Sequence, residues 1–190
     1  MSRCPWCLSD PVYIDYHDHE WGVPVYEDRI HFEFLVLESA QAGLSWLTIL
    51  RKRDHYRRLY EGFDPVKVAA YGPAEVELMM QDPGIVRNRK KIEASIMNAK
   101  IFLEIQHEFG SFSNYLWRYV EGKPLIHYPK TLEEVPCENE VSDAISRDLK
   151  SRGMKFVGTK IIYAHLQATG IINDHLVSCA RHDIVQRLSK

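Results

Sequence analysis

Lys150-Ser151-Arg152-Gly153-Met154-Lys155-Phe156-Val157-Gly158-Thr159-Lys160 is the stretch on which the reading of this chain turns. An amphipathic helical segment, Ser142 to Ser151, runs into Gly153, a residue suited to the positive φ that ends a helix. A short loop follows, and Gly158-Thr159 opens a second helical segment, Lys160 to Ala168, with Thr159 able to cap it. The first amides of that helix point outward with the positive end of the macrodipole behind them, an arrangement that seats anions. Lys150, Arg152, Lys155 and Lys160 surround the seat, and the stretch contains no acid. Helix, glycine-bounded hairpin, helix and lysines together make a clamp for a nucleic-acid phosphate. An ordinary helix–helix turn with a solvated basic face is the alternative that these residues alone leave open.

Working outward, the rest of the chain reads as helices. A short helix is expected at about 11–20, then Glu27 to Gln41 with Phe32, Leu35, Val36 and Ser39 on one buried face. Gly43 breaks it, and Ser45 caps a further helix from Trp46 to Tyr60. Pro65 and Pro73 sit at the first turns of two short helices. Arg87 to Lys91 opens a long helix reaching about His107, Gly110 ends it, and Phe112 to Val120 forms another. Residues 121–141 read as a surface connection, and a last helix is expected near Asn173. Nothing alternates with period two for long, so the fold class is all-α. The 190 residues, 45% of them hydrophobic, suit a single helical domain over 1–190, built as two closely packed lobes. A net charge of −2 means that nucleic acid would be met by local patches rather than by a basic coat. The chain has neither a bilayer-length apolar run nor an apolar secretion segment, so a cytoplasmic protein with no membrane partner is expected. In that compartment its four cysteines are expected reduced or metal-bound.

His175 and Cys179 lie four apart at the expected start of the final helix, which would put both on one face as neighbouring metal ligands. Cys4 and His17 can complete a tetrahedral zinc, with Cys7 and His19 as substitutes; a zinc there would tie the irregular N-terminus to the C-terminal segment. The bland reading is a buried cysteine beside a hydrogen-bonded histidine. Cys4-Pro5-Trp6-Cys7 also has dithiol spacing, but such centres usually start a helix beside a strand, and no βαβ pattern is present.

Glu38 interrupts the apolar face of its helix, and a carboxylate among apolar groups needs a partner or a task. Trp6, Tyr13, Tyr16 and Trp21, with Trp46, can stack around a planar ligand above that carboxylate, which would favour a cationic or proton-donating ring. An aromatic core with Glu38 paired to an arginine or lysine is the structural alternative. Gly43-Leu44-Ser45 presents a leucine at a turn tip, fit either to wedge between bases or to be buried in the turn itself.

These residues together resemble the bacterial 3-methyladenine DNA glycosylase I family, within the helix-hairpin-helix DNA glycosylases. The likeness covers nearly the whole chain and rests on several motifs in order: Arg3-Cys4-x-Trp6, Tyr13-Ile14-x-Tyr16-His17-Asp18-x-Glu20-Trp21-Gly22-Val23-Pro24, Gln41-Ala42-Gly43-Leu44-Ser45-Trp46, Phe63 to Ala70, Lys155-Phe156-Val157-Gly158-Thr159 and Asn173-Asp174-His175. The resemblance implies a helix-hairpin-helix architecture with one structural zinc on Cys4, His17, His175 and Cys179, joining the two ends of the chain. It implies that Glu38, Tyr16 and Trp46 hold the excised base and that neighbouring aromatics complete the pocket. DNA contacts are expected at Gly43, Leu44, Gly153, Lys155, Gly158, Thr159 and Lys160. Cys7 departs from the family pattern, which has an apolar residue there, and adds a spare thiol near the metal. Ser39-Ala40 also differ, flanking Glu38 without replacing it.

The implied chemistry is monofunctional excision of 3-methyladenine from double-stranded alkylated DNA by a monomer, leaving an abasic site. A base methylated at N3 is a cation whose glycosidic bond is already weak, so the enzyme need only flip the nucleotide, recognise the lesion and exclude adenine. Many helix-hairpin-helix glycosylases place a catalytic aspartate after the hairpin; Asp174 stands near that place, and beside a zinc ligand it can instead orient His175. The competing readings are a zinc-stabilised DNA-binding module without catalysis and a zinc hydrolase, the latter disfavoured because four protein ligands close the shell.

Overall fold

A computed structural model describes residues 2–188. Asp10 caps α1 (Pro11–His19), its carboxylate accepting from the Val12 N–H. α2 (Asp28–Gln41) follows, and Ser45 then caps α3 (Trp46–Leu59) by accepting from the Thr48 N–H. α4 (Pro65–Ala69) and α5 (Pro73–Gln81) each begin at a proline, where the missing N–H costs nothing. α6 (Arg89–Phe109) ends at Gly110 with φ +80°, and α7 (Phe112–Trp117) runs on as a 3-10 turn to Val120. After the strand β1 (Leu125–Ile126) come α8 (Glu140–Ser151), α9 (Thr159–Ala168), the strand β2 (Ile172–Asn173) and α10 (Ala180–Leu188).

The expectation for α2 was one buried face. In the fold every residue from His31 to Ala40 is buried, because α3, α6, α7 and α9 all pack against this helix. Its polar residues therefore need partners. Glu33 takes Arg53 at 2.5 Å and Arg57 at 3.0 Å, while Glu38 and His31 are paired through α9, as described below. The main apolar cluster surrounds α2 with Phe102 and Ile105 from α6, Phe112 from α7 and Leu166 from α9.

One expectation fails at the C-terminal end, and the helical fold class holds with one small addition. The fold is mostly helical but not purely so: β1 and β2 pair in parallel, with Leu125 opposite Ile172 and Ile126 opposite Asn173. Strands of two residues leave no alternation to read. No helix starts at Asn173, since residues 172–173 form β2 and α10 begins only at Ala180. His175 and Cys179 thus lie in the intervening loop, where His175 N–H donates to Asn173 Oδ1 and Cys179 N–H to the Leu176 carbonyl. Among the described residues, no helix is long and apolar enough to cross a membrane.

α8 ends as anticipated. Gly153 has φ +102°, its N–H donates to the Lys150 carbonyl, and the Met154 N–H reaches the Leu149 carbonyl, so two of the helix's last carbonyls are satisfied. The loop beyond is anchored by the buried Met154 and Val157. Three helices then clamp its backbone. Asn98 of α6 bonds both the N–H and the carbonyl of Lys155, each at 2.9 Å. Ser146 of α8 donates to the Val157 carbonyl, and Ser39 of α2 donates to that of Phe156. These bonds hold Phe156 at φ +55°, a left-handed conformation that is uncommon for a side chain of this size.

Candidate functional site

The first constellation joins the chain ends. Cys4, His17, His175 and Cys179 are all buried, and their ligand atoms lie within 4.8 Å of one another. His175 Nδ1 is 3.7 Å from both sulfurs, and His17 Nε2 is 3.5 Å from Cys179 Sγ. A tetrahedral ion with bonds of about 2.3 Å to sulfur and 2.0 Å to nitrogen would hold its donors about 3.3–3.8 Å apart, so the set fits zinc. The outer nitrogens are fixed as well. His17 Nδ1 meets Asp18 at 2.8 Å and His175 Nε2 meets the Trp21 carbonyl at 3.0 Å, which leaves the inward nitrogens free of protons. Arg3 holds the Asp18 carboxyl down at about 2. The hydrogen bond to Cys179 and burial push the Cys4 thiol up, while that same bond, followed by those from His17 and His175, holds Cys179 down. Two sulfurs and two imidazole nitrogens converging on one point are a donor set that suits a divalent cation. The substitutes drop out: Cys7 is buried with its thiol donating to the Cys4 carbonyl, and His19 is exposed beside Asp15.

Beside this cluster lies a cavity of about 340 Å³ lined by Trp6, Tyr13, Tyr16, Trp21, Glu38, Gln41 and Trp46, among others. Its volume is within the range of small-ligand pockets, about 300–1,000 Å³. The aromatics brace one another edge to face: Trp6 and Trp21 are 5.1 Å apart, Trp6 and Tyr13 5.5 Å, Tyr16 and Trp46 5.7 Å. Tyr13 fixes α1 to the start of α3, its hydroxyl accepting from the Leu47 N–H. All five aromatics singled out in the sequence meet here, together with Glu38.

Glu38 is buried, and its partner is neither arginine nor lysine. Oε2 lies 2.9 Å from His165 Nδ1, and His165 Nε2 lies 3.1 Å from His31 Nδ1. His31 Nε2 then donates to the Val25 carbonyl at 3.1 Å. Glu38 Oε1 is buried with no protein partner. Burial raises the Glu38 pKa well above the usual carboxylate range and lowers both histidines to about 3. The sequence reading missed His165 and His31, and it treated Glu38 as an ionised carboxylate; burial favours its acid form.

Asp174 also lines the cavity, and it does not orient His175. Its Oδ1 meets His127 at 2.7 Å, and its Oδ2 accepts from the Tyr163 hydroxyl and the Gln167 amide, both at 2.7 Å.

A second concavity shares Glu38, Gln41 and Ala164 with the first and continues past Gly43 and Leu44 to Lys160 at the start of α9. Leu44 is exposed at the turn tip, where Gly43 has φ +84°. Lys91, read from the sequence only as part of the run that opens α6, holds this turn, its ammonium donating to the Ala40 and Ala42 carbonyls at the end of α2. At the hairpin, the N–H groups of Gly158, Thr159 and Lys160 meet no acceptor among the described residues, and Lys155 and Lys160 are exposed. Two expectations are corrected. Gly158, not Thr159, is the N-cap of α9; the Thr159 hydroxyl instead contacts Asp143 at 2.5 Å and Ser142 at 2.9 Å. Gly158 has φ −63°, and the place of its missing Cβ is open, so its backbone can be approached closely from outside. Arg152 is not free for phosphate, being paired with Glu108 at 2.6 Å and Asp148 at 2.9 Å.

Residues 6–182 match the profile of the family described as methyladenine glycosylase. The chain belongs to the methyladenine glycosylase family. It is 48% identical to DNA-3-methyladenine glycosylase 1 of Escherichia coli K12, over 94% of this chain and 96% of that protein. DNA-3-methyladenine glycosylase of Haemophilus influenzae is 42% identical over the same shares. A solved structure of 3-methyladenine DNA glycosylase I from Staphylococcus aureus, concerned with its recognition of 3-methyladenine, is 40% identical, covering 95% of this chain and 96% of that one, with a TM-score of 0.91. The matched residues include the aromatic cavity, Glu38, the turn tip and the hairpin, and they reach past His175 and Cys179.

Proposed function

We infer that this chain is a base-excision repair glycosylase that removes 3-methyladenine from alkylated DNA. The observation that carries the reading is Glu38: a buried acid with one oxygen left without a partner, lining a cavity of about 340 Å³ among aromatic rings. Relatives at 42–48% identity over nearly the whole chain carry the activity in their names. A DNA-binding module without catalysis would need neither the cavity nor a carboxyl group with an unpaired oxygen at its wall.

In the proposed mechanism the damaged nucleotide rotates out of the duplex and its base enters the cavity. Tyr16 and Trp46 contact the cationic ring, and Glu38 Oε1 accepts from its exocyclic amine. The bond between C1′ and N9 breaks with its electron pair passing to the ring, so the base leaves neutral and needs no proton. Water adds at C1′, losing a proton to solvent, and an abasic site remains on an intact strand. Both Asp174 oxygens are already engaged, which supports passive departure of the base rather than activation by that aspartate.

The helix-hairpin-helix role belongs to α8, the hairpin and α9. A phosphate would lie on the free amides of Gly158, Thr159 and Lys160, flanked by Lys155 and Lys160, with Leu44 filling the gap in the base stack. The proposed zinc would be held by Cys4, His17, His175 and Cys179, cross-linking the chain ends with a closed shell and so acting as a structural ion. The test is incubation with methylated duplex DNA and chromatographic identification of the released base. Free 3-methyladenine with strands that break only after alkali supports the reading; DNA binding with no base released would overturn it.

A further inference from the structure

The chain Glu38–His165–His31–Val25 has a constraint built into its donors and acceptors. The Val25 carbonyl can only accept, so His31 Nε2 carries a proton. A neutral His31 then offers a lone pair at Nδ1, and His165 Nε2 must donate to it. A neutral His165 in turn offers a lone pair at Nδ1, and Glu38 Oε2 must donate to that. A Glu38 carboxylate beside two neutral imidazoles leaves two lone pairs facing each other somewhere in the chain. Three satisfied arrangements exist: a neutral acid with both imidazoles neutral, a carboxylate with His165 as imidazolium, and a carboxylate with the cation passed on to His31. The first two differ by one proton moving along the 2.9 Å contact between Glu38 and His165.

We propose that His165 and His31 set the charge that Glu38 presents to the pocket: Glu38 rests as a neutral acid, and a cationic base draws its proton onto His165. His165 is then a positioning residue that lets the site answer a positive charge with a negative one. The proton leaves Glu38 Oε2 and joins His165 Nδ1, the carboxylate pairs with the cation, and no proton is exchanged with solvent. When the glycosidic bond breaks and the base becomes neutral, the proton returns. A neutral adenine meets a neutral acid throughout, so discrimination and release of neutral product have the same origin.

The surroundings favour the neutral resting form. From α1, the Tyr16 hydroxyl faces Glu38 and is pushed well up by burial, so it stays protonated. From α3, Arg53 is already neutralised by Glu20 and Glu33. Asp28 acts on His31 from the start of α2, but its carboxylate is occupied by Gln106 and by the N–H groups of Phe112 and Ser113. No unpaired cation is among these neighbours to hold Glu38 ionised.

The proposal rests on the glycosylase reading for its ligand but not for its resting state. The experiment is NMR of the full chain, labelled with ¹⁵N at histidine and ¹³C at the glutamate carboxyl, at pH 7. The probes are 3,9-dimethyladeninium, a fixed cation, and 9-methyladenine, its neutral counterpart. The free protein should show a protonated Glu38 carboxyl, assigned by its loss in Glu38→Gln, and an imine-type Nδ1 at His165. The cation should move that nitrogen to the imidazolium region, and 9-methyladenine should not. In His165→Gln the affinity ratio between cation and neutral probe should fall from about tenfold or more to within about threefold. An ionised Glu38 in the free protein, or a His165 that stays neutral with the cation bound, would overturn the proposal. Failure of the cation to bind while methylated DNA still releases 3-methyladenine would also overturn it and leave the function standing; absence of that release in the same preparation strikes the function instead.

Discussion

Cys4 Sγ and His175 Nδ1 lie 3.7 Å apart although 171 residues separate them in the chain. The irregular first residues are held to α1 by Arg3 pairing with Asp18 and by the Cys4 N–H meeting His17 Nε2. They are linked to the C-terminal loop by the Ala180 N–H donating to the Ser2 carbonyl and by the Leu176 N–H meeting Cys4 Sγ. If zinc sits among the four ligands, its binding is coupled to the order of both segments. His175→Ala should therefore carry less than one zinc per chain by elemental analysis, and its N-terminal amides should exchange faster with solvent. Full occupancy with unchanged thermal stability would refute the metal assignment.

The grouping of these four side chains was legible because thiol and imidazole chemistry is narrow, even though the argument from helical spacing was mistaken: His175 and Cys179 meet in a loop. Helix ends marked by Ser45 and Gly153 were legible because caps are local. The partner of Glu38 was not. His165 lies 127 residues away, and no spacing rule links a residue in one helix to its neighbour in another. The basic hairpin was over-read partly for the same reason. Counting charges along residues 150–160 could not reveal that Glu108 on α6 pairs with Arg152 or that Asp143 sits beside Thr159, although Asp148, four residues before Arg152, stands at the spacing of a helical ion pair and was readable. Nor could it reveal Asn98, which clamps Lys155 from another helix.

The hairpin separates two effects at one residue. Gly158 has an ordinary φ and open space where a Cβ would stand, so Gly158→Ala should fold and melt as the parent does. Gly158→Asp places a negative charge at the proposed phosphate seat and should weaken DNA binding regardless of sequence, because phosphate contacts carry no base information. Lys155→Ala should make log K less steep against log salt by about one counterion. An unaltered salt slope in that variant would exclude a direct phosphate contact by Lys155.

The buried chain also predicts how stability follows pH. His31 and His165 are depressed to about 3 by burial, so their folded pKa lies below the unfolded value near 6.5, and the stability they carry is lost as pH falls below about 6.5. Glu38 is raised, so its contribution is lost as pH rises above its unfolded value near 4.5. Between about pH 4.5 and 6.5 the unfolded chain binds two protons at the histidines and the folded chain one at Glu38. The net slope from these groups is one proton, about 1.4 kcal/mol per pH unit. A glutamine at 38 keeps a donor toward His165 but removes the titrating proton. In Glu38→Gln the slope over this interval should therefore approach two protons, about 2.7 kcal/mol per pH unit, and the decline above pH 6.5 should flatten. Urea unfolding at a series of pH values measures both; parallel curves for the two proteins would show that Glu38 is ionised in the fold.

The same substitution tests recognition. Glu38→Gln retains the hydrogen-bond chain, and with it the shape of the cavity, but it cannot form a carboxylate against a cationic ring. Losing a charge-assisted hydrogen bond should cost about 1.5–3 kcal/mol, or roughly ten- to a hundredfold in affinity for the methylated base. DNA carrying an abasic analogue should bind nearly as before, since no base then enters the cavity and the hairpin is untouched. Part of the loss should appear in single-turnover excision, to the extent that contact with Glu38 tightens as the glycosidic bond breaks. The informative comparison is therefore free 3-methyladenine, abasic duplex and excision rate, measured on both proteins. If the variant binds the free base and excises it as wild type does, Glu38 is a structural acid that happens to line the cavity, and recognition must lie with Tyr16 and Trp46 alone.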